Sequence, residues 1–258
     1  MRGGFAGVLT AVVTVLALFC LAGYQVTGAT AGERFLGRIG AALVELDLWL
    51  PAHRQDIQLL AKDRPDEAVV VDDLPVRGVV LPPEEARSAD DETLKRLLRG
   101  SMGGSLYREG AAGLSDHDGQ SHLSITEPVR WSVALLSAGM HGFWRAAVVL
   151  AALVLLALCA VMLTLQQPPA AAVLWGALAA AACSLAVWLL ARGAGSAFDG
   201  ALDREIALVV RDGAWLGLRN ALAVAAVAAS LLFLSRALLG PREGSWRHGA
   251  DREEDGFA

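Results

Sequence analysis

The sequence has few charged side chains, three cysteines and only two lysines. Of its 258 residues, 19% are charged, whereas 55% are hydrophobic. Soluble domains carry about 25% charged residues, so this composition excludes an ordinary soluble enzyme and indicates a membrane protein. The net charge of −5 provides no basic surface, so nucleic acid is not an expected partner.

The sequence also lacks the short motifs that mark catalytic and metal sites. Cys20, Cys159 and Cys183 each lie inside an apolar run, so they do not form a disulfide framework or a zinc-binding pattern. A nucleophile elbow, a phosphate-binding glycine loop, an HExxH pair and a CxxC motif are all missing from the sequence. We therefore expect no catalytic residues and no cofactor, and we do not expect an enzyme.

Long apolar runs are what the sequence does contain. A helix needs about 20 largely apolar residues to cross a hydrocarbon core of about 30 Å. Four runs satisfy this length, namely residues 5–28, 143–165, 170–191 and 214–238. They predict an all-α integral membrane protein with four transmembrane helices.

The first run has two possible interpretations. It follows a basic residue, Arg2, and it precedes the small residues Ala29, Thr30 and Ala31, as the apolar part of a cleaved signal peptide does. Its apolar part is nearer 20 residues long, whereas the apolar part of a typical signal peptide has about 7–15 residues. The longer run favours an uncleaved signal anchor. A cleaved leader is the alternative.

The segments outside the spans differ in size and character. Residues 29–142 predict a mostly helical domain with minor β-structure, inserted between spans 1 and 2. Residues 192–213 predict a short loop with its own amphipathic helix. Residues 240–258 are polar, carry both charge signs and predict a disordered tail.

Local patterns give the inserted domain more detail. Apolar spacing after the first span predicts an amphipathic helix that bends or ends before Pro51. The β-branched runs 68–71 and 78–81 predict either two short strands or an extended arm, because nearby prolines limit ladder hydrogen bonding. Ser88 is the predicted N-cap of a further helix. That helix is expected to bury a stripe formed by Leu94, Leu97, Leu98, Met102 and Leu106.

The arginines that flank the spans predict the orientation, because short cytoplasmic loops carry an excess of basic residues. Five arginines lie on the side of the termini and three lie in the loop opposite. We expect cytoplasmic termini, an extracytoplasmic domain at 29–142 and a location in the inner (plasma) membrane of a bacterium. The two sets are Arg2, Arg236, Arg242, Arg247 and Arg252 against Arg192, Arg204 and Arg211.

Four aromatic residues fall at the ends of the spans that adjoin this domain. Amphipathic rings prefer the headgroup layer, so we expect them to act as interfacial anchors. These residues are Tyr24, Trp144, Trp188 and Trp215.

Four arginines fall near the same depth as those rings. They are expected to contact acidic lipid headgroups or a partner, with independent snorkelling to the headgroups as the alternative. These residues are Arg145, Arg192, Arg211 and Arg219.

One short segment contains metal-ligand residue types. Asp116, His117, Asp118 and His122 resemble the opening of a calcium loop or a transition-metal pair, but the full calcium pattern is missing. Asp, Gly and Ser at this spacing are also typical of a hydrophilic turn, and we expect no metal site here.

The spans themselves argue against transport. Transporters place acids, histidines or broken helices near the bilayer midplane, and the interiors of the first three spans contain none of these. The expected function is a non-catalytic accessory, scaffold or assembly subunit. Its expected partners are the lipid bilayer and a membrane protein or second copy that contacts the extracytoplasmic domain. A pore-forming homo-oligomer or channel subunit is the alternative, followed by a membrane-embedded enzyme.

Overall fold

The computed structural model describes residues 2–114, 127–197 and 200–239. In chain order the elements are α1 (Arg2–Val26), α2 (Ala29–Leu43), α3 (Leu46–Asp63), β1 (Val69–Val70), β2 (Val80–Leu81), α4 (Pro83–Ser88), α5 (Asp91–Glu109), a 3-10 turn (Gly110–Gly113), α6 (Glu127–Leu136), α7 (Ala138–Thr164), α8 (Pro169–Ala197) and α9 (Ala201–Leu239).

Among the described residues, four helices are long and apolar enough to cross a membrane, namely α1, α7, α8 and α9. This confirms the predicted number of spans and is compatible with a membrane location. α1 lies between α7 on one side and the α8–α9 hairpin on the other. Small side chains allow the close approach of α1, α8 and α9. The buried residues of this contact are Leu18, Ala177, Ala180, Ala181, Ala221 and Ala225.

The predicted loop helix within 192–213 does not exist as a separate element. α8 continues to Ala197, and α9 then runs without a break for 39 residues from Ala201. At 1.5 Å per residue α9 is about 58 Å long, roughly twice the thickness of a hydrocarbon core. The amphipathic pattern correctly predicted helical structure in this segment. It shows only which face of the helix is buried, and one continuous helix can have an amphipathic part followed by a wholly apolar part.

The described residues of 29–136 form a second packing unit, which we call the helical unit. Its core is made mainly by α2, α3, α5 and α6, with the two strands at one side. The predicted stripe of α5 is confirmed, except that Leu97 is only half-buried. The fully buried members of the stripe are Leu94, Leu98, Met102 and Leu106.

The strands are confirmed as an antiparallel pair of two residues each. Val69 pairs with Leu81 and Val70 pairs with Val80. Val69 and Leu81 face the core, while Val70 and Val80 are exposed. The Val80 N–H donates to the Ser101 hydroxyl at 2.8 Å, which fastens the sheet to α5.

Two predicted helix boundaries are wrong. The break after the first amphipathic helix lies at Val44 and Glu45, where Glu45 has a left-handed backbone (φ 49°), and Pro51 lies inside α3. Pro51 is the sixth residue of α3, so it removes one hydrogen bond from the second turn of the helix. The N-cap of α5 is Asp90, which accepts the Thr93 N–H at 2.9 Å, while Ser88 ends α4.

Two glycines let α2 and α5 cross with their backbones in contact. A Cβ atom added to Gly103 would collide with the Glu33 carbonyl, and one added to Gly37 would collide with the Arg99 carbonyl. Gly104, the next residue of α5, has open space at the same position. Close packing at this crossing therefore depends on Gly37 and Gly103.

Ion pairs join α3 to α5 at the surface of the helical unit. Lys95 Nζ lies 2.6 Å from Asp47 Oδ1, and Arg54 Nη1 lies 2.6 Å from Asp91 Oδ1. The hydrogen bond from Lys95 lowers the pKa of the Asp47 carboxyl, and the same bond raises the pKa of Lys95. The pair is therefore fully charged at neutral pH, weakens in acid as Asp47 gains a proton, and weakens in strong base as Lys95 loses one.

Candidate functional site

Several hydrogen bonds and ion pairs connect the long helices to the helical unit at the junction between them. Thr27 connects α1 to α2, and its side chain is buried. Its hydroxyl donates to the Gly23 carbonyl at 2.8 Å and lies 3.2 Å from His141 Nδ1. Since the hydroxyl proton is committed to Gly23, the contact with His141 is a hydrogen bond when Nδ1 carries the ring proton.

Tyr107 of α5 completes this connection. Its hydroxyl donates to the Thr27 carbonyl at 3.0 Å. Burial, and secondarily the charge of Glu33, raises the pKa of Tyr107, so the hydroxyl stays protonated and remains a donor. Thr27 thus joins α1, α5 and α7 at a single point.

Aromatic rings fill the contact between α1 and α7 beside Thr27. His141 stacks on Tyr24 with ring centroids 4.6 Å apart, and Trp144 meets Phe19 edge-to-face at 5.5 Å. The indole of Trp144 also covers Gly23, where an added Cβ would come within 2.6 Å of the ring. The ring of Trp144 is therefore held in one place by α1.

Charged groups connect α2 to the first turns of α9. Arg38 Nη2 lies 2.7 Å from Glu205 Oε2, and Arg38 Nη1 lies 3.8 Å from Asp212 Oδ2. Asp212 also pairs with Arg211 at 3.3 Å. Beside these ions, Val209 of α9 is buried in the core of the helical unit. The helical unit is therefore attached to α9 by both apolar and ionic contacts.

A cavity of about 580 Å³ opens at this junction. Its floor is α1, one wall is formed by α8 and α9, and its upper end is closed by Trp144 of α7 and by residues of α2 and α6. None of the described residues that line it is charged. We call it the junction groove. Its lining includes Val15, Val26, Thr27, Leu135, Val187 and Val210.

Polar side chains meet once more between the long helices. The Asn220 side-chain amide donates to Gln25 Oε1 at 2.8 Å, which joins α9 to α1. Each side chain satisfies the other in an apolar setting, where an unpaired amide would be costly. In the sequence, both residues are polar positions within apolar runs, which indicates that each needs a polar partner. Their separation of 195 residues means that the sequence alone does not identify the pair.

The four predicted anchor residues are all engaged in ring contacts at this end of the molecule. Tyr24 and Trp144 pack as described above, and Trp188 lies 6.5 Å from Trp215. Trp215 is exposed, while the others are half-buried. Their role as interfacial anchors stays a prediction.

The four predicted arginines have different surroundings. Arg192 lies over the ring of Trp188 at 5.4 Å, and Arg211 pairs with Asp212. Arg145 and Arg219 are exposed. The sequence did not single out Arg38, although this arginine makes the ionic contact between the helical unit and α9. Contact with lipid headgroups or a partner stays a prediction for the four.

The weak metal candidates Asp116, His117, Asp118 and His122 lie outside the described residues, as does the predicted tail 240–258. Within the described part of the chain, no group of three His, Cys, Asp or Glu side chains is arranged to hold a metal ion. The three cysteines are free thiols. The geometry of the junction is suited to binding an apolar group.

Comparison with models of known families, with curated proteins and with solved structures gave no match.

Proposed function

We propose that the chain is a non-catalytic accessory or assembly subunit of a membrane, and that its helical unit contacts another protein. One observation carries this proposal: α3 belongs to a firmly attached unit yet exposes large apolar side chains. Leu48 is 72% exposed, Leu59 55% and Leu60 47%. Leu59 and Leu60 are adjacent, and Leu48 lies on the same face of α3 as Leu59, about 17 Å away along the helix. We propose that they form part of a protein-binding surface, since a contiguous exposed apolar patch is typical of such surfaces.

The attachment of the helical unit supports the same role. Tyr107 binds the Thr27 carbonyl, Arg38 binds Glu205, and Val209 enters the core of the unit. A binding surface on a fixed unit loses little conformational freedom when a partner binds, which favours affinity. We call the exposed apolar side chains of Leu48, Leu59 and Leu60 the α3 surface.

In the proposed topology the four long helices span the inner membrane, the helical unit is extracytoplasmic and both termini are cytoplasmic. The distribution of flanking arginines supports this orientation. The central position of α1 supports an uncleaved anchor, because its removal would leave Gly176 of α8 and Trp144 of α7 without their packing partner.

Reporter fusions test the topology. A reporter that is active only outside the cytoplasm should be active when fused at Gly119 or Gly200 and inactive when fused at Gln167 or Gly249. The opposite pattern would assign the helical unit to the cytoplasm. A mature N-terminus near Gly32, measured by mass spectrometry, would contradict the uncleaved anchor and leave three spans.

Co-purification tests the α3 surface. Leu48→Arg and Leu59→Arg should each weaken capture of a partner from native membranes by about 30-fold or more, because central apolar contacts contribute about 2 kcal/mol or more. Arg108→Glu, at an exposed position of α5, is the matched control and should retain the partner. A photo-crosslinker at residue 48 should form an adduct with the same protein.

Two outcomes would contradict the proposed role. One is unchanged capture by both leucine variants, which would remove the α3 surface from the interface. The other is cross-linking only between two copies of this chain, which would assign the surface to self-association.

Two buried threonines weaken the case for a pore. Thr10 and Thr14 of α1 are buried, and each donates its hydroxyl proton to a carbonyl of its own helix, at 2.8 Å in both cases. Hydroxyls that are satisfied in this way do not offer the hydrated path that an ion requires.

A further inference from the structure

We infer that the junction groove binds one acyl chain of an anionic phospholipid, whose headgroup lies at Arg145. The inference requires the proposed placement of the long helices in a bilayer. It does not depend on the proposed contact between the α3 surface and a partner.

The groove has the position that a lipid tail requires. Its floor follows α1 from Val15 to Val26, and its wall is formed by α8 and α9. α7 packs on α1 but hardly contacts α8, so α7 does not close the groove between α1 and the α8–α9 hairpin. Val187 of α8 and Val210 of α9 line the groove and are exposed, so the groove is open from the side of the long helices, where lipid would lie.

The length of the groove matches one leaflet. The segment from Val15 to Val26 covers about 17 Å along the helix at 1.5 Å per residue. Half of a hydrocarbon core is about 15 Å thick. An extended acyl chain from a single leaflet therefore fills the groove from its headgroup end to its inner end.

The volume argues against a transmembrane helix as the occupant. A helix with its side chains is about 10 Å across, so a piece 17 Å long would occupy more than about 1,000 Å³. The groove measures about 580 Å³, which lies within the range of about 300–1,000 Å³ that is typical of small-ligand sites. A single flexible chain fits inside this space, whereas a helix of that volume would lie partly outside the groove.

The charges at the upper end of the groove select the headgroup. The lining is uncharged, but Arg145 directly follows the lining residue Trp144, and Arg211 directly follows Val210. Arg145 is exposed, with no recorded acidic partner among the described residues. Two acids of α9 are already engaged, since Glu205 binds Arg38, and Asp212 binds Arg211 and approaches Arg38. Arg145 is therefore available to a phosphate at this depth.

Native mass spectrometry of the full chain tests the tail site. The protein is purified in detergent, supplied with phosphatidylglycerol, and should retain one lipid per chain. Val187→Trp fills the groove and should lower the bound fraction at least five-fold. Leu189→Trp, two residues further along α8 at an exposed position outside the groove, is the matched control and should bind as the unmodified chain does.

The headgroup is tested by replacing the arginine charge. The unmodified chain should bind phosphatidylglycerol in preference to phosphatidylcholine, and Arg145→Gln should reduce that preference about five-fold, as expected for one basic residue near an anionic group. Arg236→Gln, at the opposite end of α9, should leave it unchanged.

Four results would overturn the inference. They are failure of the unmodified chain to retain lipid, equal retention by the Val187→Trp and Leu189→Trp variants, lack of preference for the anionic headgroup, and equal loss of preference in both arginine variants. Val210→Trp fills the same groove from α9 and replaces Val187→Trp if that variant does not fold. If the reporter fusions give the proposed topology but the protein retains no lipid, this inference is overturned and the proposed function is not.

Discussion

Gly103→Ala is expected to destabilise the protein by about 3 kcal/mol, at the upper end of the cost of overpacking a core. The added methyl group would collide with the Glu33 carbonyl of α2, and backbone atoms cannot turn aside as a flexible side chain can. α2 and α5 would have to separate, which would also loosen the packing of Leu98 and Met102. Thermal unfolding in detergent, followed by circular dichroism, measures the loss.

Gly104→Ala provides the control at the next position of the same helix. No atom lies within 4 Å of the added methyl group, and alanine favours a helix over glycine by about 1 kcal/mol. This variant should therefore be slightly more stable than the unmodified protein. Equal effects of the two substitutions would show that α2 and α5 do not cross at Gly103.

Gly176→Leu is expected to prevent the long helices from assembling, with a cost of more than about 3 kcal/mol. Even a single Cβ atom at this position of α8 would lie 2.5 Å from the Ala11 carbonyl oxygen of α1. In a bilayer, helices gain little from hydrophobic burial against one another, so close contact provides much of their association energy. Size-exclusion chromatography should show aggregated protein, and the monodisperse fraction should unfold at a lower temperature.

Gly142→Leu adds the same side chain to another long helix. Gly142 of α7 is exposed and has open space where its Cβ would be placed, so this variant should fold normally. Aggregation of both variants to the same extent would mean that the added bulk, and not the contact between α8 and α1, causes the defect.

Periodic features of the molecule were predictable from the sequence. The four long helices follow from long, largely apolar runs, and the buried stripe of α5 follows from leucines at helical spacing. Both patterns are local, because a helix that buries one face must repeat its apolar residues every three or four positions. The two short strands were predictable for a similar reason, from β-branched residues bounded by turn formers.

The junction was not predictable, because its contacts join distant parts of the chain. Arg38 and Glu205 are 167 residues apart, and Tyr107 and Thr27 are 80 apart. A single charged or polar residue at a helix surface can contact solvent, lipid headgroups or another part of the protein. Its neighbours in the sequence do not show which of these contacts it makes. The same limit applied to the glycines of α5, since only the position of α2 distinguishes Gly103 from Gly104.

The insertion of Val209 into the helical unit has a consequence for biosynthesis. Translation delivers residues 29–136 long before α9, so the unit first forms with its α9-facing side uncovered. The ionic partner of Arg38 is synthesised later still than α7 and α8. α9, which is synthesised after the helical unit, therefore completes the core of that unit, and the unit reaches its final packing only when α9 has been made.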